Sequence, residues 1–137
     1  MSRVVLHTDG ASRGNPGEAG IGIVIYDENG VPMKEIARYL GKATNNTAEY
    51  SALIEGLRAA TELGAKDIII RSDSELMVRQ VMGEYKVRNQ GLQSLFVEAR
   101  RLLMHFRVWR LEYVPRELNR RADELANEGI DHRHKTD

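Results

Sequence analysis

In Ala65-Lys66-Asp67-Ile68-Ile69-Ile70-Arg71-Ser72-Asp73, three isoleucines stand side by side between polar residues. A short β-branched run without alternation reads as a strand covered on both faces. Its flanks carry the helical period. Ahead of it, Ala52, Leu53, Gly56, Leu57, Ala60 and Leu63 recur every three or four residues, and Gly64 ends them. Behind it, residues 74–82 read as a short helix stopped by Gly83. Leu92, Leu95, Phe96, Ala99, Leu102, Leu103 and Phe106 then hold one face of a longer one. Residues 108–114 read as a strand ended by Pro115, with Trp109 expected on an inner strand in the core. Leu118, Ala122, Leu125, Ala126 and Ile130 mark a last helix.

The first 40 residues follow a different rhythm. Residues 4–8 are β-rich and reach a turn signal at Asp9-Gly10. Residues 11–20, with Gly14-Asn15-Pro16-Gly17, read as a loop. Ile21, Ile23 and Ile25 then alternate with Gly22 and Val24, Asp27-Glu28-Asn29-Gly30 closes a hairpin, and residues 31–40 return as a third strand. Three strands, a helix, a strand, two helices, a strand and a helix make an α/β fold with helices to cover a mixed sheet. The expectation is one domain over residues 1–130 and a polar tail over 131–137.

Composition narrows the function. A chain of 137 residues, 42% hydrophobic and 29% charged, is the size of one domain. It has no cysteine, which excludes disulfide scaffolds, thiolate metal sites and thiol nucleophiles. Twenty basic and 20 acidic residues cancel, so any phosphate binding must come from local patches. No apolar run approaches a membrane span and no leader-like segment is visible, so no membrane association is expected and the expected location is cytoplasmic.

Four acids stand where a solvated charge is out of place. Asp9 and Asp73 close two strands, and the carboxyl ends of strands are where ligands gather in α/β sheets. Glu49 lies three and four residues before Ala52 and Leu53, on the core side of its helix. Asp123 borders the apolar stripe of the last helix. Each also has a local explanation. Asp9-Gly10 can be a turn, and Glu49 can close a capping box begun by Asn46. Ser72 and Glu75 can make a similar box around Asp73, and Asp123 can pair with Arg120 or Asn127. Together the four argue for a cation, because clustered carboxylates repel unless one holds them. An all-oxygen set favours Mg²⁺ or Mn²⁺, and such sites serve phosphate chemistry.

Thr8-Asp9-Gly10-Ala11-Ser12, Gly14-Asn15-Pro16-Gly17, Thr44-Asn45-Asn46-Thr47-Ala48-Glu49, Ser72-Asp73-Ser74 and Arg121-Ala122-Asp123-Glu124-Leu125-Ala126 resemble, in order, the type 1 ribonuclease H family. The resemblance covers residues 4–130. It implies a five-stranded mixed sheet of order 3-2-1-4-5. It also implies cleavage of the RNA strand of an RNA/DNA hybrid, leaving 5′-phosphate and 3′-hydroxyl ends. By the same resemblance Asp9, Glu49, Asp73 and Asp123 are the catalytic, metal-binding acids for two Mg²⁺ ions, with Mn²⁺ as a substitute. Asn15, Asn45 and Asn46 match positions that touch the hybrid's minor groove, where a short amide can engage a 2′-hydroxyl. Lys42, Thr44 and Asn89 resemble a pocket for a DNA-strand phosphate. The protein is expected to work as a monomer.

Three departures qualify the resemblance. Only 16 residues separate Asp73 from Asn89, which leaves no room for the basic, Trp-containing handle of many members. The loop Val114-Pro115-Arg116-Glu117-Leu118-Asn119 has no histidine, so Asn119 or Glu117 is an assisting candidate, with His132 and His134 of the tail as another. Glu75 replaces a glutamine of many relatives. His7 and His105 read as structural or surface residues. The alternatives are the same enzyme with a wider range that includes double-stranded RNA, a hybrid-binding module with little turnover, and a metal-free hydrolase using two carboxylates on a small molecule.

Overall fold

The computed structural model describes residues 3–133. The elements are β1 (Arg3–Gly14), β2 (Gly17–Tyr26), β3 (Pro32–Ala43), α1 (Asn45–Glu62), β4 (Asp67–Ser72), α2 (Glu75–Val81), α3 (Gln90–Leu103), β5 (Val108–Tyr113) and α4 (Arg120–Asp131), with a 3₁₀ turn at Arg116–Leu118. One five-stranded sheet has the order β3-β2-β1-β4-β5. β1 pairs antiparallel with β2, β2 with β3, and β4 runs parallel to both β1 and β5. Fold class and strand order agree with the expectation.

The core lies between the sheet and α1, α2 and α3. Val4 and Leu6 of β1, Ile21, Ile23 and Ile25 of β2, and Ile68 and Ile70 of β4 meet Leu53, Leu57, Met77 and Leu103 there. Side chains alternate across a strand, so Ile69 points the other way. That opposite face is covered by α4, which packs chiefly on β2, β3 and β1. Ile69 is therefore half-buried, not covered on both faces as its sequence suggests.

Local chemistry sets the helix ends. The Thr44 hydroxyl caps α1 by accepting from Thr47 N–H at 3.2 Å, so Asn46 lies inside the first turn and starts no capping box. Ser74, not Ser72, caps α2 by accepting from Met77 N–H. Asn89 caps α3 by accepting from Gly91 and Leu92 N–H.

Four further expectations are corrected. β1 does not stop at Asp9-Gly10 but runs on to Gly14, pairing with β2 through Gly14↔Gly17. Residues 11–20 are thus mostly strand, because the glycines there lie in an antiparallel ladder with a two-residue connection. Trp109 lies on β5, an edge strand, and is half-buried against the core. Leu118 is exposed in the 3₁₀ turn, since Asn119 breaks the helical path with φ −127° and ψ 25°. Asp131, assigned to the tail, is the last residue of α4, and His134 lies outside the described residues.

Candidate active site

Asp9, Glu49, Asp73 and Asp123 come from β1, α1, the β4–α2 junction and α4, and their carboxyls converge. One oxygen from each of Asp9, Glu49 and Asp73 lies within 4.8 Å of the others. The Asp73 and Asp123 carboxyls are close enough to Asp9 to raise its pKa, and Asp123 lines the same pocket. Topology explains the meeting. The parallel pairing of β1 with β4 ends at Thr8↔Ser72, so Asp9 and Asp73 are the next residues along two neighbouring strands.

Backbone contacts hold the other two. Gly10 N–H donates to Glu49 Oε1 at 2.8 Å in a buried position. Gly10 has to be glycine, since a Cβ would stand 2.2 Å from the Ala48 carbonyl carbon and 2.4 Å from Glu49 N. Asp123 occupies the first turn of α4, and its N–H donates to the Asn119 carbonyl at 3.1 Å. The Asn119 side-chain amide, itself buried, donates to the Thr8 carbonyl at 2.8 Å. The start of α4 is thereby tied to β1 one residue before Asp9.

Burial and crowding shift the acids. Desolvation, then the charges of Glu49 and Asp73, push the Asp9 carboxyl well above the usual carboxylate range. Desolvation also drives Glu49 upward, opposed by the Gly10 N–H. A group whose folded pKa is raised contributes stability below its unfolded value and loses it as pH rises through the folded one. The metal-free protein is therefore expected to melt lower at pH 8 than at pH 5. Asp9→Asn should remove most of that slope and stabilise the metal-free fold by about 2 kcal/mol at pH 8. Thermal melts in EDTA at the two pH values check this; an unchanged slope in the variant would refute it.

The carboxylates floor a pocket of about 490 Å³ that is also lined by Ser12, Arg13, Asn45, Ser74, Tyr113, Arg116 and Asn127. A hard divalent cation fits this donor set: all ligands are oxygen, and the uncompensated charges are what such an ion neutralises. Arg116 was not anticipated. Its Nε stands 3.9 Å from Asp73 Oδ2, its side chain is 77% exposed, and its charge lowers the Glu49 pKa.

The chain matches the family described as reverse transcriptase-like over residues 7–129. It is 46% identical to ribonuclease HI of Halobacterium salinarum over 94% of this chain. The crystal structure of RNase H1 from that archaeon superposes with a TM-score of 0.93 at 45% identity, covering 95% of this chain and 98% of that one. This chain belongs to the type 1 ribonuclease H family. A compost-derived ribonuclease H1, LC11, was solved in complex with an RNA/DNA hybrid and has a TM-score of 0.88 at 44% identity, covering 93% of this chain and 96% of that one. The chain spans 65% of the Halobacterium protein's full length and 36% of a bifunctional protein of Mycobacterium tuberculosis to which it is 44% identical over 94% of its own residues. Ribonucleases H as a family depend on divalent metal, which suits the acidic cluster.

The remaining expected residues fall into three groups. Asn15 and Asn45 are together, with the Asn15 side-chain oxygen accepting from Asn45 N–H at 3.0 Å, and Asn45 lines the pocket. Asn46 follows in α1. Lys42, Thr44 and Asn89 lie outside the pocket lining; Lys42 pairs with Glu18 across β3 and β2, and Thr44 and Asn89 each cap a helix. Glu117, Asn119 and His132 also lie outside that lining. Asn119 is committed to Thr8, Glu117 is exposed, and His132 follows the end of α4. Glu75 is engaged by Arg79 at 2.8 Å.

Proposed function

We propose that this protein is a metal-dependent endonuclease that hydrolyses the RNA strand of RNA/DNA hybrids, leaving 5′-phosphate and 3′-hydroxyl ends. The observation that carries the reading is the convergence of four carboxylates from four elements in one polar pocket. When bound there, two Mg²⁺ ions, for which Mn²⁺ can substitute, supply a nucleophilic water at neutral pH and stabilise the developing charge on phosphodiester oxygens. Asp9, Glu49, Asp73 and Asp123 hold them. The Gly10 N–H and the Asn119 tie keep two of those carboxylates aimed before substrate arrives, so little reorganisation is left to the reaction.

Other residues choose the substrate. Asn45 lines the pocket, Asn15 accepts from its N–H and Asn46 follows it in α1, and their short amides suit a minor groove that carries 2′-hydroxyls. Lys42, Thr44 and Asn89 are assigned to a phosphate of the DNA strand. Thr44 and Asn89 stand at helix N-termini, where the helix dipole favours anions. Arg116, in the loop that lacks a histidine, lines the pocket beside Asp73. It cannot pass a proton at neutral pH, so its part is to balance charge on the phosphate. Arg116→Ala is expected to cut turnover about tenfold, near 1.4 kcal/mol, with Arg116→Lys recovering part of it. Single-turnover rates for the three proteins check this, and an unaltered rate in the alanine variant would dismiss the role. A monomer in the cytoplasm completes the proposal. Among the described residues no helix is long and apolar enough to cross a membrane.

The test offers one labelled RNA single, paired to DNA and paired to RNA, with Mg²⁺, Mn²⁺ or EDTA. Cutting of the hybrid in the metal lanes alone is the expected result. Equal cutting of duplex RNA would widen the substrate range. Binding without cutting under either metal would overturn the nuclease reading in favour of a hybrid-binding module.

A further inference from the structure

Arg13 stands on β1 four residues after Asp9 and two before Asn15. Side chains alternate along a strand, so Asp9 and Arg13 share a face, roughly 13 Å apart along β1. Arg13 lines the carboxylate pocket, yet its guanidinium is turned onto α4. Nη1 donates to Asp131 Oδ1 at 2.7 Å and Nη2 to Asn127 Oδ1 at 3.1 Å. The Arg13 and Asp131 side chains are 45% and 54% exposed. An ion pair so open to water contributes little, and its members exchange partners readily.

Resting on the ribonuclease H reading, we propose that Arg13 is a phosphate-binding residue for the RNA strand. It is parked on Asp131 in the free protein and moves to a backbone phosphate a few nucleotides from the scissile one when the duplex docks. A strand held at Asp9 and reached by Asn15 has to pass Arg13, which lies between them. One strand of a duplex presents a phosphate about every 3.4 Å of its axis, so the segment beside Arg13 carries acceptors. A guanidinium can grip two phosphate oxygens at once, whereas here it gives Asp131 a single hydrogen bond at an exposed helix end. The need is local: the chain has net charge zero, and four clustered acids repel the incoming polyanion. Asp131 keeps the cation at the rim until the substrate replaces it.

A merely structural Arg13 would act as a strut for α4, and the test separates the two. A labelled RNA/DNA hybrid is titrated in Ca²⁺ at several salt concentrations against the natural protein, Arg13→Ala and Asp131→Asn, with melting temperatures alongside. Arg13→Ala should weaken binding about fivefold to tenfold and reduce the slope of log K against log salt by about one. Asp131→Asn should bind as well as the natural protein or better, since it frees the arginine. Equal weakening and early melting in both variants would make Arg13 a strut and overturn the proposal. Unchanged affinity and slope in Arg13→Ala would do the same. Arg13-dependent binding by a protein that fails to cut in Mg²⁺ would instead overturn the nuclease reading and leave the phosphate contact standing.

Discussion

Asp73→Asn is expected to lower the rate of hybrid cleavage by about 10³-fold or more, on the order of 4 kcal/mol of transition-state stabilisation. The substitution keeps shape and removes one charge. Asp73 sits in the short connection between β4 and the Ser74 cap of α2, outside both elements, so neither loses a backbone hydrogen bond. Its carboxyl nevertheless has an oxygen within 4.8 Å of oxygens of Asp9 and Glu49. An amide there offers one weakly held oxygen in place of an anionic one, so the cluster can no longer balance two divalent ions. Metal-free stability should hold or rise, because a repelling charge is gone from a dry site. Turnover under saturating hybrid, read beside thermal melts in EDTA, checks both halves. A folded variant that retains a tenth of the natural rate would show that Asp73 is no ligand.

Much of this site could be read from the chain, because each acid broke a local pattern. Glu49 interrupts an apolar helical face and Asp73 ends an isoleucine run, and such misfits are visible without coordinates. What stayed hidden depended on pairing. β1 looked finished at Asp9-Gly10 because a glycine after an acid signals a turn, whereas the ladder with β2 carries it on to Gly14. Gly10 serves close packing against the Ala48–Glu49 backbone instead. Ile69 looked buried because sequence does not say that α4 covers only part of the second face.

Arg116 escaped for a related reason. An arginine after Pro115 is one of many surface cations until the sheet order is known. Once β5 lies beside β4, the residues just past their ends are neighbours, and the rule that pointed to Asp73 points to Arg116 as well. Asn119 is legible only in part. Its spacing from Asp123 along the chain suggests an assisting role, while its buried side chain donates to the Thr8 carbonyl and ties α4 to β1.

Gly22→Ala is expected to damage stability and catalysis together, though residue 22 touches no substrate. Gly22 is the register partner of Asp9 across β1 and β2, and α4 rests directly on it. A Cβ at that position would lie 2.0 Å from the Ala122 carbonyl oxygen, 2.5 Å from Ala126 N and 2.9 Å from Leu125 Cβ. Two of these are backbone atoms of a regular helix, so no rotamer change relieves the clash and α4 itself must lift. The overpacking should cost about 3 kcal/mol, which for a domain of this size lowers the melting temperature by roughly 10 °C. Lifting α4 also carries Asp123, the next residue after Ala122, away from Asp9. A displacement near 1 Å in a site of this kind removes about 10²-fold in rate even from molecules that remain folded. The comparison that isolates this effect is single-turnover cleavage at a temperature where the variant is fully folded by circular dichroism. A natural rate there would mean that Asp123 does not need its proximity to Asp9, and the four-carboxylate site would reduce to the three acids of β1, α1 and the end of β4.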